Sequence, residues 1–443
     1  MYEINSLTDH LFRRESGKMV AVLTRLFGFS NYDLARDIVQ DTLLAALHHW
    51  KLHGIPDNPT AWLYSVAKNK TIDWLRREKL VAEHSDEIAY QISGDGAVSA
   101  QVDSLFLDYE IEDSVLRMMF ACCHPTLPNE AQIVLILRTL CGLSVGEIAR
   151  AFLSNEETIQ KRLYRTKDKI RSENILLEVP TGNELAKRLD GVLKAIYLLF
   201  NEGYNSQSSD LLIRQELCTE AMRLAELLSN HAHTNQPQSN ALLSLLYFQA
   251  SRFATRLDAE GHIILLEHQD RSLWNQDFIA KGSDYLERAS EGTQLSEYHL
   301  QAAVAYYHAT ATSFATTNWK AITYLYHLLV QLNASPMIQM NRAIAIGFAE
   351  SPQRGVEELL KIKGLEKNHY YHTALGDFYA KSKQTEAAKT AYQQAIQFCV
   401  STTERALIEV KNINLLNKLN KLMFFTLLNF QFLCQFLIFS MYE

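Results

Sequence analysis

Cations are spaced along one short segment of the chain in a way that suits contact with DNA. Residues 143–171 read LSVGEIARAFLSNEETIQKRLYRTKDKIR, two helical patterns separated by a turn at residues 153–155. The second pattern buries Ile159, Leu163 and Ile170 at helical spacing. Its other faces carry six cations: Lys161, Arg162, Arg165, Lys167, Lys169 and Arg171. Such a helix can lie in the major groove and face base edges and phosphates. The alternative is an amphipathic hairpin whose charged face is only solvated.

A second set of residues suits contact with single-stranded nucleic acid. Residues 61–78 read AWLYSVAKNKTIDWLRRE, which is a helical pattern. One face of this pattern and its flanks carry Trp62, Ser65, Lys68, Asn69, Lys70, Asp73, Arg76 and Arg77. Aromatic rings offer flat surfaces to unstacked bases, and cations beside them offer charge to the backbone.

Both sets depend on helices whose ends can be located in the sequence. Asn58 is a good N-cap and Pro59 suits the first helical position, so the second set is predicted to begin a helix there. Upstream, residues 32–50 read YDLARDIVQDTLLAALHHW, with apolar residues at helical spacing. The opposite side of that helix carries a polar stripe: Asp33, Arg36, Asp37, Gln40 and Asp41.

Together these motifs resemble a known family. D-x-A-x-D-x-x-Q-D at residues 33–41 is followed by W-L-x-x-V-A-x-N-x-x-I-D-x-L-R-R at residues 62–77 and later by the helix-turn-helix pattern. This order resembles bacterial RNA polymerase sigma factors of the extracytoplasmic-function class. The motif CCHP at Cys122–Pro125 and the long C-terminal extension are similar to the subgroup with helical repeats after the second DNA-binding domain.

The resemblance implies partners and site residues. Core RNA polymerase is the implied partner of Asp33, Asp37, Gln40 and Asp41. The single strand of the promoter minus-10 element is the implied partner of Trp62, Lys68, Asn69, Lys70, Asp73, Arg76 and Arg77. The duplex minus-35 element is the implied partner of Glu157, Thr158, Gln160, Lys161, Arg162 and Arg165. These are roles to be tested in this chain.

We expect an all-α chain because no segment shows strand-like alternation of any length. The predicted domains are sigma region 2 at 1–80, an acidic linker at 81–112, sigma region 4 at 113–175, a helical repeat domain at 180–415 and a hydrophobic tail at 416–443. Charge is partitioned along the chain: residues 1–77 carry net +2, residues 78–129 net −8 and residues 130–171 net +3. The resemblance implies that this linker lies near the cationic channels of the polymerase, which its acidic charge would suit. A solvated disordered spacer is the alternative.

Several classes of chemistry find no support in the sequence. The 6 cysteines show no spacing pattern, which favours a reducing compartment, the cytoplasm. Cys122, Cys123 and His124 could suggest a metal site, but no second pair lies at a suitable spacing, so buried packing is favoured. No phosphate-binding loop, dinucleotide motif or nucleophile motif is present. We expect no enzyme activity and no cofactor or metal.

The C-terminal half resembles a stack of helical repeats. LGDFYAKSKQTEAAKTAYQQAI, starting at residue 375, matches one tetratricopeptide unit. Its first helix is predicted to carry Leu375, Gly376 and Tyr379, and its second Ala388, Tyr392 and Ala395. A weaker unit is predicted at residues 341–360, with Gly355 between its two helices. Stacked units usually present a concave surface to a protein or peptide, and a plain helical scaffold is the alternative.

The last residues of the chain differ from the rest. Residues 423–441 carry no charge, are rich in Phe and Leu, and follow Lys411, Lys418 and Lys421. Their length suits a membrane span, but the polar residues Asn429, Gln431 and Gln435 lie inside the segment. A docking helix, or translated sequence beyond an ancestral stop, is favoured over a membrane anchor.

Three functions are compatible with these observations. The favoured one is a sigma factor whose C-terminal repeats regulate its activity. The second is a helix-turn-helix regulator with a repeat-type sensor domain, and the third is a repeat-based adaptor without a nucleic-acid role. Binding to core polymerase separates the first from the other two.

Overall fold

The protein is described by a computed structural model at residues 2–82, 95–152, 154–173, 175–204 and 214–415, with side chains from residue 11 and omitted at 79–98. The described residues form no β-strand, and a single bridge joins Leu257 to Ile263. The predicted all-α class is confirmed. The described residues form two compact units: the first contains those up to residue 204 together with residues 214–239, and the second contains residues 240–415.

The helices follow one another closely along the chain. They are α1 Tyr2–Phe27, α2 Tyr32–His53, α3 Pro59–Ala82, α4 Asp95–Leu105, α5 Asp108–Cys122, α6 Asn129–Thr139, α7 Val145–Ala151, α8 Glu156–Ser172, α9 Gly182–Tyr204, α10 Gln215–Asn230, α11 Pro237–Ala250, α12 Gln276–Ala289, α13 Glu297–Thr310, α14 Trp319–Leu332, α15 Pro336–Ala349, α16 Pro352–Leu359, α17 His369–Lys381 and α18 Thr385–Phe398. A further helical segment covers residues 402–415.

Local sequence explains where α3 and α8, the two helices predicted to contact DNA, begin. The Asn58 side chain accepts a hydrogen bond from the Ala61 amide at 3.0 Å, and Pro59 is the first residue of α3. Asn155 caps α8 in the same way, accepting from the Thr158 amide at 2.8 Å. These caps satisfy amides that have no partner inside a helix. Of the predicted turn at residues 153–155, residue 153 lies outside the described part.

The core of the first unit joins its N-terminal helices to its later ones. Helix α1 packs against α2 and also against α5, and α5 buries Leu116, Met118 and Phe120 completely. At Gly17 the backbone of α1 approaches the Leu140 carbonyl so closely that a Cβ atom would overlap it. Only glycine permits this contact, so α1 and the end of α6 form one packed body.

The predicted acidic linker contains regular structure. Helix α4 lies within it, and α5 begins at Asp108, before its predicted end at residue 112. Arg25 of α1 forms ion pairs with Glu110 at 2.5 Å and Asp113 at 3.1 Å. Part of the acidic charge therefore pairs with the chain's own cations; residues 83–94 lie outside the described part.

The first unit extends past the predicted domain boundary at residue 180. Helix α9 packs on α6 and α5, and α10 packs on α9. Gly191 of α9 lies so near Gln132 and Cys123 that a Cβ atom would come within 2.8 Å and 3.1 Å of them. The apolar face of α9, with Leu189, Val192 and Leu193 buried, is covered in this way. Helices α9 and α10 therefore belong to the same compact unit as the helix-turn-helix, and not to the unit that contains the repeats.

In the second unit, successive helices from α12 to α18 pack against their neighbours along the chain. The predicted tetratricopeptide unit forms the pair α17 and α18, with Gly376 and Tyr379 on the first helix and Ala388 and Tyr392 on the second. A Cβ atom at Gly376 would lie 2.5 Å from the Tyr392 ring, so the small residue sets the close approach of the helices. The predicted placement of these residues on two neighbouring helices is confirmed.

The weaker predicted unit needs a correction. Helices α15 and α16 form it, but Gly355 lies inside α16 instead of between the helices. The turn is made at residues 350–351, where Ser351 caps α16 and Pro352 starts it. Gly355 faces Gly347 and Phe378, where a Cβ atom would come within 2.9 Å of each. Gly355 allows these helices to pack closely. The spacing of residues in the sequence does not distinguish this role of a glycine from a role in a turn.

The hydrophobic tail at residues 416–443 lies outside the described part of the chain. Within the described residues, no helix is both long enough and apolar enough to cross a membrane.

Candidate nucleic-acid interface

Helix α8 presents most of its predicted DNA-contacting side chains to solvent. Ile159, Leu163 and Ile170 are buried as the spacing predicted. The exposed set is Glu157, Thr158, Gln160, Lys161 and Arg165, and Arg162 is half-buried. Periodicity therefore separated the inner face from the outer face correctly.

The cations of α8 differ in their partners. Lys161 pairs with Glu157 one turn away at 2.6 Å, on the exposed surface. Arg162 reaches Glu130 at 2.5 Å and lies over the Phe152 ring. Arg165 forms no ion pair with any described residue, and it lines a groove between α8 and the start of α6. Arg165 is thus a cation available to a phosphate group.

Glu147 joins the helix-turn-helix to two other parts of the first unit. With Ser144 it forms a capping box at the start of α7: the Glu147 amide donates to the Ser144 hydroxyl at 3.2 Å, and the Ser144 amide donates to Glu147 at 2.6 Å. Its carboxylate also pairs with Arg13 of α1 at 3.1 Å and with Arg214 ahead of α10. Burial alone would raise the pKa of Glu147, but these hydrogen bonds and charges lower it to about 2.

Helix α3 exposes a polar face beside a groove. Ser65, Asn69, Asp73, Arg76 and Arg77 are exposed, and Trp62, Lys68 and Lys70 are half-buried. The Trp62 ring contacts the rings of Trp50 at 5.6 Å and His49 at 5.2 Å between centroids. The groove runs between α3 and α4 and is lined by Tyr64, Ser65, Lys68, Asn69, Ile72, Ser99 and Asp103.

One wall of this groove carries negative charge. Asp103 of α4 pairs with Lys68 at 3.0 Å, and Lys68 also lies 5.5 Å from the centre of the Phe106 ring. On α3 itself, Asp73 and Arg76 are 4.0 Å apart. A nucleic acid that contacts Lys68 has to compete with Asp103 for its charge.

The polar residues of α2 have two different environments in the structure. Asp37, Gln40 and Asp41 are exposed, as docking on another protein would require. Asp33 instead accepts hydrogen bonds from Lys167 at 2.7 Å and from Arg171 at 2.6 Å, both on α8. We call Asp33, Lys167 and Arg171 the Asp33 cluster. It places a predicted polymerase-docking residue against the predicted DNA-reading helix.

The cluster controls the ionisation of its carboxylate. Burial alone would raise the pKa of Asp33, and the hydrogen bond and charge of Lys167 more than reverse that effect. Arg36 and Arg171 add to it, so the pKa lies below its usual 3.8. Asp33 is therefore ionised throughout the neutral pH range, and the cluster persists there.

Contacts between distant segments of the chain had no signal in the sequence. The order Ser144-x-x-Glu147 is itself the pattern of a capping box, so that part was readable. The partners Arg13 and Arg214 lie far away along the chain and had no local signal. The predicted burial of Cys122 and Cys123 is confirmed, and the five described cysteines are free.

Comparison with known proteins gives matches to three family models. Residues 11–81 match Sigma-70 region 2, residues 117–170 match Sigma-70, region 4, and residues 188–290 match a Family of unknown function (DUF6596). The two sigma-70 matches cover α2 with α3 and α7 with α8, where the site residues lie. The chain belongs to the sigma-70 family. Within it, the chain is of the extracytoplasmic-function type with a DUF6596 extension.

Relatives agree with this membership. A Rhizobium meliloti protein, "Uncharacterized protein R00370", is 35% identical over 385 residues, which are 86% of this chain and 90% of that protein. "RNA polymerase sigma factor SigV" of Bacillus subtilis is 27% identical over 30% of this chain and 72% of its own length. "ECF RNA polymerase sigma factor SigW" of the same organism is 27% identical over 35% of this chain and 82% of its own length. No solved structure matches this sigma-70 family chain.

Proposed function

We propose that this protein binds core RNA polymerase through α2 and directs promoter-specific initiation in the cytoplasm through α3 and α8. The observation that carries the proposal is the presence of both reading helices and an exposed carboxylate stripe in one compact unit. The side chains of Asp37 and Asp41 are exposed. Charges that face solvent can attract a cationic partner surface and orient it.

Binding to polymerase tests this directly. The full-length protein should co-purify with core polymerase and support specific initiation from its own promoters. The double variant Asp37→Lys, Asp41→Lys should lose this binding and keep its helical circular dichroism spectrum, because both residues are exposed. Asp168→Lys, at an exposed acid of α8, is the matched control for charge reversal. If the wild-type protein does not bind core polymerase, the helix-turn-helix regulator becomes the better explanation.

On α8 we propose that Arg165 positions the DNA and Gln160 reads it. Arg165 has no ion pair to lose within the described residues, so its full charge is open to a phosphate. Arg165→Ala should weaken binding to every duplex and reduce the salt slope by about one. Gln160→Ala should instead change the preferred minus-35 sequence, with a cost of about 1–3 kcal/mol at one base pair. Equal losses on all sequences for both variants would contradict this assignment.

We further propose that the described arrangement of the first unit is a closed form that opens on the promoter. By their names the minus-10 and minus-35 elements differ by about 25 positions, which is about 85 Å of duplex at 3.4 Å per base pair. A compact unit of this length is only about 45 Å across. Helix α3 packs on α2, and α2 is joined to α8 by the Asp33 cluster. Simultaneous contact with both elements therefore requires these contacts to break.

Regulation by the C-terminal extension is the last part of the proposal. Helices α9 and α10 cover the helix-turn-helix domain, and Arg214 pairs with the Glu147 carboxylate that caps α7. Arg214→Gln in the full-length protein should change promoter activity without changing polymerase binding. Lys187→Gln, at an exposed pair within α9, is the control. Unchanged transcription from Arg214→Gln would reject this contact as a regulatory one.

A further inference from the structure

Two arginines of the second unit share one aromatic ring. Arg252 lies just after α11, and its guanidinium carbon is 5.6 Å from the centre of the Trp274 ring. Arg271 lies three residues before Trp274, and its guanidinium carbon is 4.7 Å from the same centre. Trp274 is buried, with 2% of its surface exposed. We call Arg252, Arg271, Trp274 and the neighbouring His308 the arginine–tryptophan cluster.

Neutral groups fix the positions of both guanidinium groups. Arg252 donates from Nε to the Gln269 side-chain oxygen at 3.1 Å. That oxygen also lies 3.4 Å from the Thr255 hydroxyl, which accepts from the Trp274 indole at 3.0 Å. Arg271 donates from Nη1 to the carbonyls of His308 and Ala311 at the end of α13. The side chains are therefore held in place before any ligand is present.

No acid balances these two charges in the described part of the chain. Neither Arg252 nor Arg271 forms an ion pair there, although most other buried or half-buried arginines of the protein do. Nη2 of Arg271 and Nδ1 of His308 are buried without a hydrogen-bond partner among the described residues. Buried cations in proteins are normally paired, and a buried polar atom without a partner often marks an ion or water site.

The charges of Arg252 and Arg271 also affect the ionisation of His308. Burial, together with the positive charges of Arg252 and Arg271, lowers the pKa of His308 to about 4. Burial and the charge of Arg252 lower the pKa of Arg271 as well. No acid contributes to either shift. The region is thus one of unbalanced positive potential.

The net positive charge of the arginine–tryptophan cluster indicates how much negative charge its ligand carries. Two guanidinium groups carry +2, and the carbonyl end of α13 offsets about half a charge. The remainder, about +1.5, matches a phosphate monoester, which carries about −1.5 to −2 near pH 7. A carboxylate supplies only one negative charge. Planar guanidinium groups also suit the paired oxygens of phosphate.

We propose that Arg252 and Arg271 form a binding site for a phosphate group of a small molecule, within the segment that matches the family of unknown function. The terminal nitrogens of Arg252 have no protein partner in the described residues, and they are the first contact. Nη2 of Arg271 is the second contact. Binding relieves the repulsion between the two guanidinium groups and stabilises the second unit. The site is independent of the promoter-binding proposal.

Calorimetric titration of the full-length protein with inorganic phosphate, at constant ionic strength, tests the proposal. Saturable binding is expected, together with a rise in the unfolding temperature, because a ligand that binds only the folded state stabilises it. Glycerol phosphate identifies the source of the group: tighter binding than inorganic phosphate indicates an organic monoester, and equal binding indicates the free ion. Acetate should bind at least about tenfold more weakly, since one charge is missing.

Variants separate the site from general charge. Arg252→Gln should weaken phosphate binding about ten- to a hundredfold, as expected for a lost charged hydrogen bond. It should leave the fold intact, because Gln269 is its only described hydrogen-bond partner. Arg271→Gln should have the same effect on binding, but it also removes a helix-end contact. Arg288→Gln, at an exposed arginine 4.9 Å from the Tyr285 ring, is the matched control and should bind as the wild type does.

Several results would overturn the site. They are the absence of saturable binding to the wild type, equal affinity for acetate, and equal loss in Arg288→Gln. A second readout follows His308 by nuclear magnetic resonance. Phosphate should raise the pKa of His308 in the wild type and not in Arg252→Gln, since the ligand neutralises the charges that lower it. An unchanged pKa in the presence of bound phosphate would place the ligand elsewhere.

Discussion

If the Asp33 cluster holds the first unit in its closed form, then removing the cluster should open that unit. The double variant Lys167→Gln, Arg171→Gln removes both α8 partners of Asp33 and replaces none of the residues assigned to polymerase or to the promoter elements. Lys167 has 23% of its side chain exposed and Arg171 has 56%, so solvent screens the second pair more strongly. Half-exposed pairs contribute about 1 kcal/mol, and exposed ones about 0.5 kcal/mol. The sum, about 1.5 kcal/mol, shifts the equilibrium between closed and open forms by roughly tenfold.

Energy transfer between fluorophores on α3 and α8, measured without DNA, reports this equilibrium. The double variant should show a larger open population than the wild type. Added salt should open the wild type and have less effect on the variant, because screening acts on the same pairs. Lys169→Gln removes a cation of the same helix that forms no ion pair with any described residue, and it should behave as the wild type does.

Two outcomes would refute the reasoning. The first is an identical distribution of distances in the wild type, the double variant and Lys169→Gln. The second comes from Asp33→Asn: if its effect adds fully to that of the double variant, the carboxylate acts through other partners. The pKa of Asp33 fixes the expected pH dependence. Because this pKa is depressed below 3.8, the cluster is complete at neutral pH and is lost only as the pH falls through the depressed value.

Three further predictions concern stability. Gly17→Ala should destabilise the first unit by about 1–3 kcal/mol in urea unfolding, since its Cβ would overlap the Leu140 carbonyl; stabilisation, the usual result in a helix, would show that the close approach is absent. Glu147→Gln should cost about 2–4 kcal/mol and remove the loss of stability that the wild type shows as the pH falls from 4.5 towards 2, and a persisting acid transition would contradict the assignment of that loss to Glu147. Gly376→Ala should destabilise the second unit by about 1–3 kcal/mol in the same assay through its contact with Tyr392, and an unchanged midpoint would mean that the ring moves aside freely.

Much of the helical structure was predictable because its causes are local. Asn58 with Pro59, and Asn155, start helices by satisfying free amides, and these residues are adjacent to the helices they cap. The buried face of α8 follows from a period of three to four residues. The pairing of α17 with α18 followed from small residues, such as Gly376, at repeat positions. The roles of the site residues on α2, α3 and α8 were predicted by resemblance and stay predictions.

Contacts between distant segments could not be predicted in this way. Asp33 and Lys167 are 134 positions apart, and neither residue has a neighbour in the sequence that identifies its partner. Arg214 and Glu147 meet only because α9 and α10 pack on the helix-turn-helix domain. The unbalanced charge of Arg252 and Arg271 is likewise invisible in a sequence where acids and bases alternate nearby, since it depends on which of them approach each other.

The sequence by itself therefore determined the helices, their caps, their buried faces and the family. Those features depend on interactions within a few residues, which a linear pattern records. Tertiary structure alone decided that Asp33 pairs with α8, that Glu147 joins three segments and that two arginines share Trp274 without an acid. Each of these depends on packing that brings remote side chains within a few ångströms, and at that distance charge and burial outweigh any local preference.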